Sequence, residues 1–296
     1  MKLPSTMTLT TSSKKTLDTL IEDLKGVLSS SVEVPQELCD SLAEDITNII
    51  KTRLGAKSAD RTYLSMSSIG KPLRRIWFDT HTPPSSVRNP YMSLKFIYGD
   101  IIEALMLFLC RLAGHTVTDQ QKSVEYKGVG GHIDAIIDGE VVDCKSASSN
   151  SYKKFAEGTL KTDDPFGYLA QIEGYSKCLD SDHPAFLAVD KVTGKFCLYQ
   201  PDRLFDTPEL DEVIEKAIEV SKADEPPAEL CYPEQPSGTS GNLEISKGCK
   251  YCNHKLKCFP TVRAFRYSNG IKYLSKVVNE PKVPEIPLTK SEEDDE

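Results

Sequence analysis

Asp138-Gly139 stands between two short apolar runs, residues 132–137 and 140–145, and no other feature constrains the chain as much. A two-residue turn with positive φ at both positions suits Asp-Gly and matches the twist of two antiparallel strands, so the sequence predicts a tight β-ribbon. Its first strand carries Asp134 and its second carries Asp143 and Lys145. Alternation along a strand puts Asp143 and Lys145 on one face and Cys144 on the other, while pairing across the turn brings Asp134 beside Asp143. Two carboxylates and an amine at the end of an apolar ribbon are costly unless a cation or a substrate accounts for them. Taken alone, Asp143 and Lys145 read more readily as a surface ion pair in a polar hairpin.

Helical periodicity surrounds the ribbon. Leu17, Leu20, Ile21, Leu24, Val27 and Leu28 recur at helical spacing, as do Leu38, Leu42, Ile46, Ile49 and Ile50 after Pro35. These predict an N-terminal helical segment over 1–60. A loop at 82–90 precedes a long helix over 92–113 that Gly114 is placed to cap. A strand at 123–126, a helix at 166–179, strands at 185–189 and 195–199 turned by Gly194, and a helix at 208–222 with Thr207 as N-cap and Pro208 following complete a core over 61–223. The expected fold is α/β, a central mixed β-sheet flanked by helices. Residues 224–280 read as a Pro-, Gly- and Ser-rich linker leading into a cysteine cluster that packs on the core, and 281–296 as a flexible acidic tail.

A chain of 296 residues with 39% hydrophobic and 27% charged content is long enough to bury a core. No apolar run approaches the roughly 18 residues of a membrane span, and residues 1–14 lack a secretory apolar stretch, so a cytoplasmic location is expected. The net charge of −8 gives no support to a polyanion partner. Residues 292–296 account for five of those negative charges, leaving −3 elsewhere, so nucleic acid is not excluded.

Two further stretches join the ribbon. Gly99-Asp100-Ile101-Ile102-Glu103 puts an acid inside an otherwise apolar helix, and Gln171 and Tyr175 lie four apart on one helix face. In order, Gly-x-x-x-Glu103, Gly131-His132-Ile133-Asp134, Asp143-x-Lys145 and Gln171-x-x-x-Tyr175 resemble the PD-(D/E)XK nuclease superfamily, within it the RecB-type branch with its Cas4-like, AddB-like and phage-type exonuclease members. The resemblance spans about residues 65–260 and rests on the order of four motifs, none specific by itself. It implies a restriction-endonuclease-like core and a metal-dependent DNA exonuclease serving recombination, repair or phage-type replication. A structure-specific endonuclease and a catalytically silent nucleic-acid-binding module are the alternatives. It further implies that Asp134, Asp143, Glu103 and the backbone carbonyl of Cys144 ligate Mg²⁺ or Mn²⁺ and that Lys145 acts on the attacking water. Gln171 and Tyr175 would hold the DNA backbone or brace the lysine. The implied partners are DNA and a single-strand-binding or annealing protein; for His132 a direct role is doubtful.

Cys249, Cys252 and Cys258 form the second signal, since thiolates this close repel unless a metal is shared. Their spacing resembles the C-terminal triplet of iron–sulfur RecB-type nucleases, which implies a [4Fe–4S] cluster with a fourth cysteine upstream. Here Lys71 or Pro72 stands where that cysteine is expected, and Cys231, Cys39 or His254 are the candidates to complete a site that would also suit Zn²⁺. Arg74 and Arg75 read as DNA-phosphate contacts or as structural residues in equal measure, and Trp77 as a packing residue.

Overall fold

A computed structural model describes residues 14–55, 63–82, 90–202 and 207–288. The Thr/Ser-rich start, most of the loop expected at 82–90, the acidic run at 292–296 and the side chains of Thr207 and Pro208 lie outside the described residues.

In chain order the first part comprises α1 (Leu17–Ser29), α2 (Gln36–Gly55), α3 (Leu73–His81), α4 (Pro90–Leu112), β1 (Val117–Thr118), β2 (Ser123–Tyr126), β3 (Val129–His132), β4 (Ala135–Ile137), β5 (Glu140–Ala147), α5 (Ser149–Ala156), α6 (Tyr168–Leu179), β6 (Ala185–Asp190), β7 (Phe196–Tyr199) and α7 (Thr207–Lys222). Five strands form a mixed sheet in the order β1-β4-β5-β6-β7, with β5 and β6 parallel and the other pairs antiparallel. The β4–β5 turn has φ of 53° at Asp138 and 98° at Gly139, both left-handed as the dipeptide predicts. Gly114, at φ 88°, ends α4: its N–H reaches the Arg111 carbonyl and the His115 N–H the Cys110 carbonyl, the two bonds of a Schellman stop.

Side-chain alternation gives each face of this sheet its own core. Leu17, Leu20 and Leu24 of α1 and Leu107 and Cys110 of α4 pack with Ala135, Ile137, Val142 and Leu187. On the other side Phe155 of α5 and Leu169 and Ile172 of α6 cover Phe186 and Ala188. Beside them Tyr175 of α6 and Leu210, Ile214 and Ala217 of α7 pack with Val141, Ile133 and Met66. The two N-terminal helices thus differ in kind. α1 is part of the sheet's core, whereas α2 buries no residue and lies along α4, tied by the Arg53–Asp100 fork at 2.5 and 2.8 Å.

The single strand expected over 132–137 is two. β3 pairs with β2 in a separate ribbon, and β4 pairs with β1 and β5. The break falls at Ile133-Asp134. The Ile133 N–H donates to the Lys122 carbonyl at 3.1 Å, the Asp134 carbonyl accepts from Gln121 N–H at 3.1 Å, and the Asp134 carboxylate accepts from Cys144 N–H at 2.7 Å. A side chain therefore stands where a neighbouring strand would continue along β5.

The stretch read as a linker, a cysteine-cluster region and a tail contains a second antiparallel sheet. β8 (Gln235–Pro236), β9 (Leu243–Glu244), β10 (Arg263–Tyr267), β11 (Gly270–Lys276) and β12 (Glu285–Ile286) lie in the order β12-β10-β11-β9-β8, and two short helices, α8 (Lys247–Lys250) and α9 (Lys255–Cys258), carry Cys249 and Cys258 with Cys252 between them. Ile245, Cys249, Phe259, Val262, Ala264 and Tyr273 form its core. Residues 281–288 do not run free as expected: β12 pairs with β10, and Arg263 forks onto Glu280 and Glu285 at 2.6–3.1 Å. This unit meets the first through α3, where His254 Nε2 lies 2.8 Å from Asp79 Oδ1 and the His254 ring stacks on Phe78. Among the described residues no helix is long and apolar enough to cross a membrane.

Candidate active site

Glu103 of α4, Asp134 at the β3–β4 break, Asp143 and Lys145 of β5, and Gln171 and Tyr175 of α6 meet around the middle of β5. The glycines of the sequence motifs explain how. α4 crosses β5 at Gly99, where an added Cβ would lie 3.3 Å from Ser146 Oγ; Glu103, one turn later, shares that face. On the other side a Cβ at Gly131 would sit 2.7 Å from the Tyr175 ring and 2.8 Å from its hydroxyl, so the bare backbone of β3 admits Tyr175. α6 itself starts where Gly70 and Gly167 cross backbone to backbone: a Cβ at Gly167 would come within 2.5 Å of Gly70 Cα. Asp164 accepts from the Tyr168 and Leu169 N–H groups at 3.0 and 2.9 Å and anchors the first turn of α6.

Asp143 is buried, with 2% of its surface exposed, and Lys145 Nζ pairs with its Oδ2. Gln171 Nε2 donates to Asp143 Oδ1 at 3.4 Å and to the Tyr175 hydroxyl at 3.5 Å. Both Gln171 and Tyr175 are buried, so they brace Asp143 from inside and do not line a surface. Tyr168, which the sequence motifs do not include, lies with its ring centroid 4.7 Å from Lys145 Nζ. It sits three residues before Gln171 and seven before Tyr175, a helical stripe that the sequence displays. Gln121 is outside those motifs too. At φ 55° its backbone N–H holds the Asp134 carbonyl while its side chain donates to Glu103 Oε1 at 2.7 Å. His132 is exposed and pairs with Ser123 in the β2–β3 ribbon, away from the carboxylates.

The electrostatics follow from crowding three acids in a partly dry place. Burial, then the charges of Asp143 and Asp100, raise Glu103 to about 7 against the opposing Gln121 bond and Lys145. Burial, then Asp143 and Glu103, push Asp134 well above the usual carboxylate range. Burial alone would discharge Lys145, but Asp143 and Asp134 outweigh it and hold the ammonium firmly protonated. Among the described residues no three His, Cys, Asp or Glu side chains are already spaced as ligands around one ion. The donor set nevertheless fits a hard divalent cation: oxygen donors whose mutual repulsion such a charge relieves. The Cys144 carbonyl joins them, because a strand residue points its N–H and C=O to the same edge and the Cys144 N–H faces Asp134.

The cysteines meet at a second place. Cys231, Cys249, Cys252 and Cys258 line one small cavity with Arg75, Phe78 and His254. Burial, then neighbouring thiols, raises Cys231 to about 11. Arg74 Nε donates to Cys258 Sγ at 3.1 Å and Arg74 also bonds the Pro227 carbonyl; the buried Arg75 Nε has no hydrogen-bond partner. Arg75 lines the cavity too, with its Nε 3.7 Å from Asp79 Oδ2. Cys39 is exposed on α2, away from it, and Lys71 and Pro72 precede α3, with Lys71 Nζ 3.3 Å from Asp79. Trp77 donates to the Ala223 carbonyl at 2.8 Å and stacks on His81, as a packing residue does.

No family model matches the chain, and no curated protein does. Solved structures similar to parts of it include that of SSO0001, at TM-score 0.36 and 13% identity over 63% of this chain and 87% of that one. An alkaline exonuclease, LHK-Exo, from Laribacter hongkongensis aligns at TM-score 0.35 and 15% identity, covering 52% and 87% of the two chains. A phage-related exonuclease from Haemophilus somnus 129PT aligns at 0.38 and 14%, covering 54% and 91%.

Proposed function

We propose that this chain is a Mg²⁺- or Mn²⁺-dependent deoxyribonuclease that hydrolyses phosphodiester bonds at DNA ends. The observation that carries the reading is the convergence of half-buried Glu103 and Asp134 with buried Asp143 beside a protonated Lys145 on β5. Crowding beside Asp143 raises the proton affinity of Glu103 and Asp134 at a cost to the fold's stability, and a divalent cation offsets that cost.

Asp134, Asp143, Glu103 and the Cys144 carbonyl would hold the ion. When bound, it would lower the pKa of a water and neutralise charge on the scissile phosphate. Lys145, held as a cation by Asp143 and Asp134, is suited to stabilise negative charge gathering on the phosphate and to orient the attacking water. It is poorly suited to remove that water's proton. Gln171 and Tyr175 position Asp143, and Tyr168 covers the lysine and limits its access to solvent.

A second metal is proposed at the cysteine cavity, where Cys231 completes the set begun by Cys249, Cys252 and Cys258. The Arg74 N–H on the Cys258 sulfur suits a thiolate, and four thiolates around one cavity would suit Zn²⁺ or a [4Fe–4S] cluster. Purified protein that is brown with absorbance near ~400 nm carries the cluster; colourless protein with stoichiometric zinc carries the ion. Loss of either in Cys231→Ser supports the fourth ligand, and protein with neither refutes the site.

The test of activity is incubation with linear and circular DNA in Mg²⁺, Mn²⁺ or EDTA. Degradation of linear DNA alone, abolished by EDTA, supports the reading. Nicking of circles moves it to an endonuclease. Intact DNA in both metals contradicts it.

A further inference from the structure

The chain is acidic, yet its charge is segregated. Residues 245–276 contain six lysines and two arginines and not one Asp or Glu, a charge of +8 within a chain of −8 that leaves −16 on the remainder. Arg263 is offset by Glu280 and Glu285 and Lys272 by Glu244, and the other cations of the segment set up a local field that the net charge conceals.

Part of this segment forms a surface groove of about 280 Å³ on the second sheet, with Lys247, Lys250, Lys272, Tyr251 and Asn269 at its rim. Ile245, Ile271 and Tyr273 supply its apolar floor. Below Tyr273 lies a further cation: Lys255, only 8% exposed, has its Nζ 4.5 Å from the Tyr273 ring centroid and 3.4 Å from its hydroxyl. Glu244 is the one acid at the groove, and Lys272 Nζ lies 3.2 Å from it. Tyr251 is 63% exposed, with Lys250 Nζ 5.6 Å from its ring centroid. Lysines interleaved with an exposed aromatic ring match a backbone of phosphates carrying bases that stack. The groove is also well supported. Lys247 and Lys250 stand on α8, whose Cys249 is buried among the cavity cysteines, and Lys272 stands on β11.

We propose that this groove is a second DNA-binding site, outside the carboxylate centre, that holds the sugar-phosphate backbone of a single strand and stacks one base on Tyr251. The choice of DNA as the polyanion rests on the nuclease reading; the anionic, aromatic-tolerant character of the ligand rests on the groove. Its use would be to keep a strand engaged between cleavage events.

The test measures fluorescence anisotropy of labelled single-stranded and duplex oligonucleotides in EDTA, where no cleavage occurs. It compares wild type, Lys247→Glu/Lys250→Glu, the milder Lys247→Gln/Lys250→Gln, Tyr251→Ala, and Lys161→Glu as a charge control away from the groove. The expected result is at least a tenfold loss of single-strand affinity in the double charge reversal. The slope of log Kd against log salt should be shallower by roughly 1 to 2, because each single-strand phosphate no longer neutralised removes about 0.7 from it. Tyr251→Ala should weaken single strands more than duplex. Hydrolysis of a small phosphodiester, bis(p-nitrophenyl) phosphate, should be unchanged in the groove variants. Affinity equal to wild type in both double variants, or losses matched by Lys161→Glu, would overturn the proposal. So would unchanged DNA binding alongside lost binding of polyglutamate, which would assign the face to an acidic protein segment. A chain that cleaves no DNA, yet loses DNA binding in the groove variants, would refute the nuclease reading and leave the groove standing.

Discussion

At the scale of residues the account turns on four side chains. Lys145 pairs with buried Asp143, and Lys145→Ala should abolish cleavage, lowering kcat by roughly 100-fold or more, while circular dichroism stays native. Glu103 makes the pH dependence. Its folded pKa of about 7 exceeds the unfolded value of 4.5, so between these two the native state binds more protons than the unfolded state. Stability in EDTA should therefore be fully present below about pH 4.5 and fall as pH rises toward about 7, by up to about 3 kcal/mol for a shift of this size. Asp134, raised by burial and then by Asp143 and Glu103, adds a loss of the same sign. Glu103→Gln should flatten that fall in denaturant melts run from pH 4.5 to 8; an unchanged profile would show that Glu103 is not the group responsible. The identities of these residues were legible because they are chemically expensive where they stand. Arg74 and Arg75 were less legible, since a basic pair looks the same whether it faces phosphate or, as here, a cavity of thiols.

Elements tell a different part. The Asp138-Gly139 turn, the α4 stop at Gly114 and the turn at Gly194 were readable because each is a local backbone requirement carried by one or two residues. The division of residues 132–137 into β3 and β4 was not readable, because alternation says nothing about which partner a strand chooses. That choice depends on Gln121 and Lys122, ten or more residues earlier, and on a carboxylate bonding to β5. Nor did β8, β9 or β12 show, since two-residue strands have no period to detect. The glycine of Gly131-His132-Ile133-Asp134 acquires a physical reason from packing: Tyr175 occupies the volume a Cβ would fill. Gly131→Ala should cost about 1–3 kcal/mol by urea unfolding and lower kcat, because it moves the Tyr175–Gln171–Asp143 chain. Full stability in that variant would remove the close approach of β3 and α6 from the account.

The described residues form two five-stranded sheets that meet at α3, besides the small β2–β3 ribbon, with the catalytic candidates around the first and the cysteines and basic groove on the second. α1, whose own sequence reads as a packing helix, completes the first sheet's core, and His115 lies buried between Asp23 of α1 and Asp138 of the ribbon turn at 3.2 and 2.6 Å. Leu20→Ala should therefore destabilise the first sheet's core by about 2–5 kcal/mol in thermal or urea melts, far more than a substitution on exposed α2. An effect below about 1 kcal/mol would mean that α1 is an appendage.

The central claim is that three carboxylates meet around one hard cation, and Mn²⁺ binding followed by electron paramagnetic resonance of the free ion tests it most directly. Mn²⁺ prefers oxygen donors over the thiols of the cysteine cavity. The account predicts about one Mn²⁺ bound per wild-type chain at submillimolar concentration, with the binding lost in Asp134→Asn and in Asp143→Asn while both variants stay folded. Wild-type protein that leaves all the manganese free, or variants that bind it as well as wild type does, would contradict it.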